Sequence, residues 1–579
     1  MLHADGLIAT IAVGLVVAFL GGFAATRLHL PPIVGYLLAG VVVGPFTPGF
    51  TANADLAHEL AEIGVILLMF GVGIHFSLRD LFRVRGIALP GALGQIAVAT
   101  ALGIGVTHLW GWSYGEGLVL GLSISVASTV VLLRALAERN ALDSIHGQVA
   151  IGWLIVEDLF TVMVLVLLPA LAPALGGTGG GGENPLLALG VALVKVAVLT
   201  LLMLLVGTRV IPWLLVHVTY TGSRELFTLA VLAVALGFAL LAATVFGASL
   251  ALGAFLAGVV VNESDMSHQA AADALPLRDA FAVLFFVSVG MLFDPGFLLV
   301  APLQILAVLA VVVLGKGLTA MAIVAGLGYS LRTGLTVAAG LAQVGEFSFI
   351  LAELGRQLGL LPEQGQSIVL ATAILSITLN PLLFRAVDPA EEWIRRRPRL
   401  AGLLERRKGA LSRPPEDGHS SPRRGHAVLC GFGEVGRRLA DVLDRRGFGY
   451  VVIDQDRRQI EELRGRGITA LYGDPGNPVF LEHAGVAQAS VVVVTVADPP
   501  VTRHIVEEAR RRNPRVDIVA RAQSEAEWTY LREHHVDDVV LGEREVAAEM
   551  ARYTLHRFGV VGAELQAVVQ GVRQREAEA

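Results

Sequence analysis

The chain has 579 residues, 54% of them hydrophobic and 16% charged, against about 45–50% apolar and about 25% charged in soluble globular proteins. That composition excludes an ordinary soluble enzyme, and a single cysteine excludes a disulfide framework or a multi-cysteine metal site. A formal charge of −6 is too slight a balance to point to nucleic acid as a partner.

The average conceals two solvents. Residues 1–387 carry 20 acids and 14 bases, whereas residues 388–579 carry 30 of each. The first part is built for hydrocarbon and the second for water. Apolar runs long enough to cross a bilayer, about 20 residues, follow one another at 6–26, 31–46, 56–76, 86–108, 115–137, 145–172, 186–209, 223–243, 248–263, 278–293, 300–327, 330–355 and 364–387. These 13 runs predict an all-α polytopic domain over 1–387. The first run lacks a preceding basic stretch and a small-residue cleavage pattern, so a helix is expected there and not a signal peptide. Loops after odd-numbered runs hold Arg27, Arg79, Arg83, Arg85, Arg134, Arg139, Arg209, Arg224, Arg278 and Arg332, and those after even-numbered runs hold little beyond Arg356. Basic loops stay in the cytoplasm, which predicts an N-terminus outside and a C-terminal part inside.

An internal repeat runs through the apolar part. Leu38-Ala39-Gly40-Val41-Val42-Val43 recurs later as Leu256-Ala257-Gly258-Val259-Val260-Val261, and Phe70-Gly71-Val72-Gly73 meets Val287-Ser288-Val289-Gly290 at the same offset less one. The shift equals seven runs, an odd number, so the two copies enter the membrane from opposite sides. Inverted repeats of this kind mark secondary transporters, with a midplane site between the copies. The same offset carries Ser125-Val126-Ala127-Ser128-Thr129 onto Gln343-Val344-Gly345-Glu346-Phe347. Both are polar interruptions of apolar runs, expected as paired broken helices whose backbone ends hold ions.

A charge at mid-membrane costs about 2.5–3.5 kcal/mol on insertion scales, so each needs a reason. Glu157 and Asp158 lie in the middle of WLIVEDLFTVMVL. Carboxylate oxygens are hard ligands suited to an alkali cation, and a proton competes for the same oxygens. Asp158 is the expected ligand of K⁺ or Na⁺. Lys316 is one of three lysines against 41 arginines, which suggests a base that must be able to lose its proton. It is expected to pair with Asp158 when the site is empty. Ser128, Thr129, Gln343 and Glu346 supply the interruptions, Glu346 as a counter-charge to half-helix ends or a member of the ion path. Gln95 is at most a supporting residue, Lys195 is expected to reach the interface, and His75 and His217 read as interface residues.

Residues 388–424 read as a basic flexible linker, with Arg395, Arg396, Arg397, Arg399, Arg406, Arg407 and Lys408 suited to an anionic leaflet. Residues 425–560 then give strand, glycine turn and helix. Gly431-Phe432-Gly433-Glu434-Val435-Gly436 follows HAVLC and opens an amphipathic helix, and YVVID ends on Asp454 with Gln455 beside it. Glycines there let a diphosphate approach a helix N-terminus. An acid about 20 residues further on, where Asp454 stands relative to Gly436, accepts ribose hydroxyls. Further strands are expected at 469–472, 491–496 and 517–521, placing Asp474, Asp498 and Arg521 toward the ligand edge. Cys430 reads as a strand residue and not a redox centre. A nucleotide-binding Rossmann domain with no second catalytic domain reads as a sensor, and 561–579 as a C-terminal tail.

LPPIVGYLLAGVVVGP (30–45), SISVASTVVLLRAL (123–136), the Glu157-Asp158 pair, LFFVSVGM (284–291), LAQVGEF (341–347) and the tail's VLCGFGEVG with YGDP occur in order. Together they resemble the monovalent cation:proton antiporter-2 family, in its Kef- and YbaL-like branch. The resemblance implies a NhaA-like fold of about 13 helices with a dimerising panel and a six-helix moving core, followed by an α/β RCK (KTN) domain. It implies K⁺ (or Na⁺) and H⁺ as transported ions, AMP or NAD(H) as regulatory nucleotide, a homodimer, and residence in the cell (inner) membrane. Kef-type proteins commonly have Gln-Asp where this chain has Glu157-Asp158. Their acidic regulatory loop is kept only at His268, Asp273 and Pro276, with alanine at 270–272, so glutathione control is not expected. A ligand-gated potassium channel is the competing class, but the sequence holds no TVGYG-like carbonyl filter. A redox enzyme in the tail is a third.

Overall fold

In hydrocarbon the backbone finds no water, so apolar runs close their hydrogen bonds internally and become helices. The computed structural model describes residues 7–397 and 425–574, apart from 48–53, 76–77, 140, 143, 178–189, 192–193, 196–197, 200, 247–248, 265, 497 and 535. Among these, Ile8–Arg27, Gly86–Leu109, Tyr114–Ala137, His146–Pro169, Arg224–Phe246, Gln269–Met291, Pro302–Gly326 and Glu363–Arg395 are long and apolar enough to cross a membrane. Leu331–Leu341 and Glu346–Gln357 make a further span bent by 46°. Pro32–Val43, Leu205–Thr219 and Leu250–Asn262 are shorter apolar helices, and Ala54–His75 covers the third run. Much of the seventh run, 186–209, lies outside the described residues. The last helix continues past the apolar run, which ends at 387, as far as Arg395. Most of the basic linker likewise lies outside the described residues.

The chain divides into two compact units. One comprises Met1–Ala135, Val149–Ile323 and Leu335–Trp393, and the other Leu136–Gln148, Val324–Gly334 and Ile394–Ala579.

The first unit is helical, and the repeat explains its tightest packing. Gly40 crosses Gly290, and Gly73 crosses Gly258. A Cβ at any of the four would overlap a main-chain oxygen: Val287 for Gly40, Leu37 for Gly290, Phe255 for Gly73 and Phe70 for Gly258. Gly258 is the repeat counterpart of Gly40, and Gly290 that of Gly73, so the two crossings are one contact used twice. The recurring hexamer is therefore a packing motif that lets backbones touch where association in lipid relies on close contact. The first helix turns Val16, Phe19, Leu20 and Phe23 outward, as a lipid-facing surface requires. Lys195 is exposed, and His217 Nδ1 lies 2.8 Å from the Trp213 carbonyl oxygen; the side chain of His75 lies outside the described residues. Asp273, in the helix Ser267–Met291, accepts from Arg224 at 3.1 Å and Thr228 at 3.2 Å.

In the second unit a six-stranded parallel sheet has the order β3-β2-β1-β4-β5-β6. The strands are β1 Ala427–Cys430, β2 Tyr450–Asp454, β3 Thr469–Tyr472, β4 Val491–Val494, β5 Asp517–Ala522 and β6 Asp538–Leu541. That order is the doubly wound arrangement, with its crevice where β1 separates β2 from β4. β1 and β2 are buried throughout, as strands covered on both faces must be. The sixth strand was not expected. It is an edge strand, Asp538-Val539-Val540-Leu541, exposed at Asp538 and Val540, and so lacks the continuous apolar run of the covered strands. Beyond them Gly542–Arg557 and Gly562–Gln574 are helices, so much of 561–579 is structured.

Two outcomes test this packing. Gly40→Ala and Gly258→Ala should each cost about 1–3 kcal/mol by overpacking, read as a lower unfolding midpoint in detergent. Gly237→Ala, where a Cβ would meet nothing within 4 Å, should stay within about 0.5 kcal/mol of wild type. Cys430 is fully buried, and burial pushes its thiol up to about 12. With one cysteine in the chain, maleimide at pH 8 should label the native protein negligibly and the denatured protein fully; rapid native labelling would contradict that burial.

Candidate functional site

The two interruptions are real breaks, and they meet. Tyr114–Ser125 stops and Thr129–Ala137 starts, with Val126 extended between them (φ −91, ψ 134). Leu331–Leu341 and Glu346–Gln357 flank the second break. The Gly345 N–H donates to the Val126 carbonyl at 3.0 Å, tying one break to the other. A Cβ on Gly345 would lie 2.6 Å from the Ala127 carbonyl carbon, so only glycine permits the approach.

Broken helices leave donors and acceptors without partners, and in this unit side chains from neighbouring helices supply them. Gln95 Nε2 donates to the Ser125 carbonyl at 3.1 Å, and Lys316 Nζ donates to the Gln343 carbonyl at 2.8 Å. Ser125 and Gln343 occupy the same position in the two repeats, so equivalent carbonyls are capped, once by a neutral amide and once by an ammonium. Lys316 closes a π-helical stretch, Val311–Lys316, a local widening frequent at functional sites. The Val344 N–H donates to Ser376 Oγ at 3.2 Å, and Asn380 Nδ2 donates to the Ala339 carbonyl at 2.8 Å.

Residues 127–129 gather the acids. The Ala127 N–H donates to Glu157 Oε2 at 3.0 Å, and Thr129 Oγ1 donates to Asp158 Oδ2 at 2.9 Å. Gln343 Nε2 donates to the Ser128 carbonyl at 3.3 Å, and the Ser128 hydroxyl accepts from the Val131 N–H at 3.3 Å. Glu157, Asp158, Lys316, Gln343 and Glu346 are all buried. Buried acceptors with no hydrogen-bond partner among the described residues include Glu157 Oε1, Asp158 Oδ1, Gln343 Oε1 and Glu346 Oε2. No cluster of three His, Cys, Asp or Glu poised for a metal occurs among the described residues. Carboxylate, amide, hydroxyl and carbonyl oxygens in mixture suit a weakly held hard cation better than a transition metal.

One expected pairing is corrected. Lys316 stands by Glu157 electrostatically, not by Asp158, and its hydrogen bond goes to backbone. Adjacent helix residues point about 100° apart, and here the two acids face different partners. Asp158 instead bonds Thr129, with Glu346 and Glu157 as the charges that act on it. Ser376 and Asn380 were missed. With Thr372 they form a buried polar row at four-residue spacing on an apolar helix, a pattern the sequence does display. Gln95 proves to be a direct backbone cap, and the Trp153 indole donates to it at 3.3 Å.

In the second unit the glycine turn has the expected geometry. Gly431 has φ 101, open to glycine at little cost, and its carbonyl accepts from Thr495 Oγ1 at 3.0 Å. A Cβ on Gly436 would stand 2.5 Å from the Gly431 oxygen, whereas one on Gly433 would meet nothing within 4 Å. The helix Glu434–Arg446 has no side-chain cap at its start, leaving first-turn N–H groups for an anion. Glu434 is exposed and paired with Arg438 at 2.7 Å, and Val435 is exposed. Asp454 accepts from the Phe432 N–H at 2.5 Å and the Asp456 N–H at 2.6 Å. Burial holds its carboxyl above the usual carboxylate range, and these N–H groups oppose the shift. Gln455 follows, half-buried. Asp474 and Asp498, both buried, follow β3 and β4, and Arg521 is half-buried on β5. The sheet order thus gathers the expected acids at the carboxyl ends of β2, β3 and β4.

The sodium/hydrogen exchanger (transmembrane) family matches residues 15–387, and the TrkA-N domain matches residues 427–542. The chain is 50% identical over 552 residues to YbaL of Escherichia coli (strain K12), named a cation/proton antiporter, covering 95% of this chain and 97% of that one. It is 29% identical over 539 residues to the glutathione-regulated potassium-efflux system protein KefC of Klebsiella pneumoniae, covering 93% and 83%. In fold it is similar to the sodium proton antiporter MjNhaP1 of Methanocaldococcus jannaschii, with a TM-score of 0.50 and 17% identity over 66% of this chain and 98% of that one. Broken spans that meet at buried acids, ahead of a TrkA-N domain, thus agree with these likenesses: the chain belongs to the sodium/hydrogen exchanger family, as a cation/proton antiporter of the Kef- and YbaL-containing branch, and is a transporter and not an enzyme.

Proposed function

We propose that the chain exchanges potassium for protons across the cell (inner) membrane, with Asp158 taking one ion or the other and a nucleotide at the glycine turn setting the rate. The observation that carries this reading is the set of buried oxygens left without hydrogen-bond partners at the crossing, on Glu157, Asp158, Gln343 and Glu346. A buried acceptor without a partner is costly, and a transient cation offsets that cost. Ser128 and Thr129 hold the surrounding acids in position. A proton on Asp158 removes its charge and with it the principal ligand for the metal ion, so the two cargoes exclude each other. Lys316, beside Glu157, offsets that second acid and leaves Asp158 as the carboxylate whose charge changes.

Potassium is preferred over sodium because KefC, the likeness named above, is a potassium-efflux protein. At the turn, Asp454 would accept ribose hydroxyls of AMP or NAD(H), helped by Gln455, Asp474, Asp498 and Arg521, while the N–H groups after Gly431 and Gly433 hold phosphate. The N-terminus lies outside and the TrkA-N domain inside, as the basic loops require. A homodimer is supported by Val546, Met550 and Tyr553, exposed at helical spacing on Gly542–Arg557.

Asp158→Asn should abolish potassium-dependent dissipation of a pH gradient in everted vesicles. Undiminished exchange would remove Asp158 from the mechanism, and equal exchange with sodium alone would replace the cation. Asp454→Ala should weaken AMP or NADH binding to the full chain tenfold or more, the scale of one charge-assisted hydrogen bond. Unaltered calorimetry would refute its role.

A further inference from the structure

Within the second unit three basic residues converge on two carboxylates. Arg332 Nε donates to Asp498 Oδ2 at 3.0 Å, and His146 Nε2 lies 3.6 Å from the same oxygen. Arg395 Nη2 lies 3.5 Å from Asp474 Oδ2. The Asp498 side chain is 6% exposed and that of Arg332 13%, so the first is a shielded ion pair and not a solvated surface contact. Removing one member of such a shielded pair costs more than losing a solvated one.

The chain positions of these bases matter more than the bonds. His146 stands at the start of Ile145–Leu171, the helix that carries Glu157 and Asp158. Arg332 stands at the start of Leu331–Leu341, the first half of the broken span, which leads to Gln343 and Glu346. Arg395 ends Glu363–Arg395, the helix that supplies Ser376 and Asn380 to that span's backbone. Three helices that build the ion site therefore each place one base on the carboxyl edge of the sheet. The carboxylates they meet follow β3 and β4, which flank β2 and β1 and hence the glycine turn.

We propose that Asp498, with Asp474 on the same edge, is a latch that holds the ends of the ion-site helices, and that a nucleotide using these carboxylates releases them. A carboxylate engaged by a guanidinium has less acceptor capacity for a ribose hydroxyl, so ligand and helix compete for the same oxygens. The inference rests on the nucleotide reading above and names how that ligand would reach the transport site. The broken span is the element moved: its first half is pinned at Arg332, and its break carries the site.

Hydrogen exchange on the full chain in detergent tests this without any transport measurement. Asp498 also accepts from the Val501 N–H at 3.4 Å as the cap of Pro499–Arg512, and asparagine caps as well as aspartate. Asp498→Asn therefore removes the charge and keeps the helix. Amides of 331–341 should exchange at least tenfold faster in Asp498→Asn than in wild type. The charge swap Arg332→Asp with Asp498→Arg should return them to within threefold of wild type. Saturating AMP or NADH should speed the same amides in wild type and add nothing in Asp498→Asn. Unchanged protection in Asp498→Asn, or no recovery in the swap, overturns the latch. A nucleotide that binds wild type without loosening 331–341 overturns the release. Failed exchange in vesicles with these hydrogen-exchange results intact would defeat the transport reading and leave the latch standing.

Discussion

Two helices broken in mid-membrane create a demand that the rest of the first unit is arranged to meet: peptide groups in hydrocarbon must find partners within the protein. The Val126 carbonyl is answered by the Gly345 N–H, the Ala127 N–H by Glu157, and the Val344 N–H by Ser376. The carbonyls of Ser125, Ala339 and Gln343 are answered by Gln95, Asn380 and Lys316. Each answer costs burial of a polar or charged side chain, and unpaired ion-site oxygens remain where no protein donor arrives. The oxygens on which the proposed cation site rests are thus the remainder of a backbone-satisfaction problem that the described protein groups solve incompletely.

The repeat is symmetric in shape and asymmetric in charge. Gly40 with Gly290 and Gly73 with Gly258 duplicate one crossing, and Gln95 and Lys316 duplicate one capping bond. Glutamine brings no charge and lysine brings one. The second interruption therefore holds a cation of its own, next to Glu157, while the first holds Asp158 through the Thr129 hydroxyl. A symmetric pair of caps would make the two breaks electrostatically alike. Replacing one amide by an ammonium makes them unlike, with Lys316 acting on Glu157 and the Thr129 hydroxyl on Asp158.

Much of this was legible because it is written in composition and spacing. Charge density separated the membrane part from the tail, the constant offset between the repeats found both breaks, and Gly431 through Asp454 found the crevice. What was not legible depended on direction. Glu157 and Asp158 are neighbours in sequence, and spacing alone cannot say which of them Lys316 acts on; in the structure it acts on Glu157. Ser376 and Asn380 were overlooked because serine and asparagine are ordinary in a long chain; their four-residue spacing inside an apolar run was the available sign. β6 escaped because an edge strand exposed at Asp538 and Val540 carries less of the apolar pattern, and the last helix, which continues through Pro381 and Pro389, runs on past its apolar run where hydropathy gives no signal.

At the ligand edge of the sheet the acceptors are already in use. Asp454 is committed to the N–H groups of Phe432 and Asp456, Asp474 to that of Gly476, and Asp498 to that of Val501 as well as to Arg332. A ribose arriving there must share or displace contacts already made, so part of its binding energy goes into rearranging the loops. That lowers affinity, but it makes occupancy visible in the backbone. A ligand shifts a conformational equilibrium only by as much as it prefers one state over the other. In the proposed latch, carboxylates already engaged by the turn and by Arg332 would provide that difference, where uncommitted ones would bind more tightly and report less.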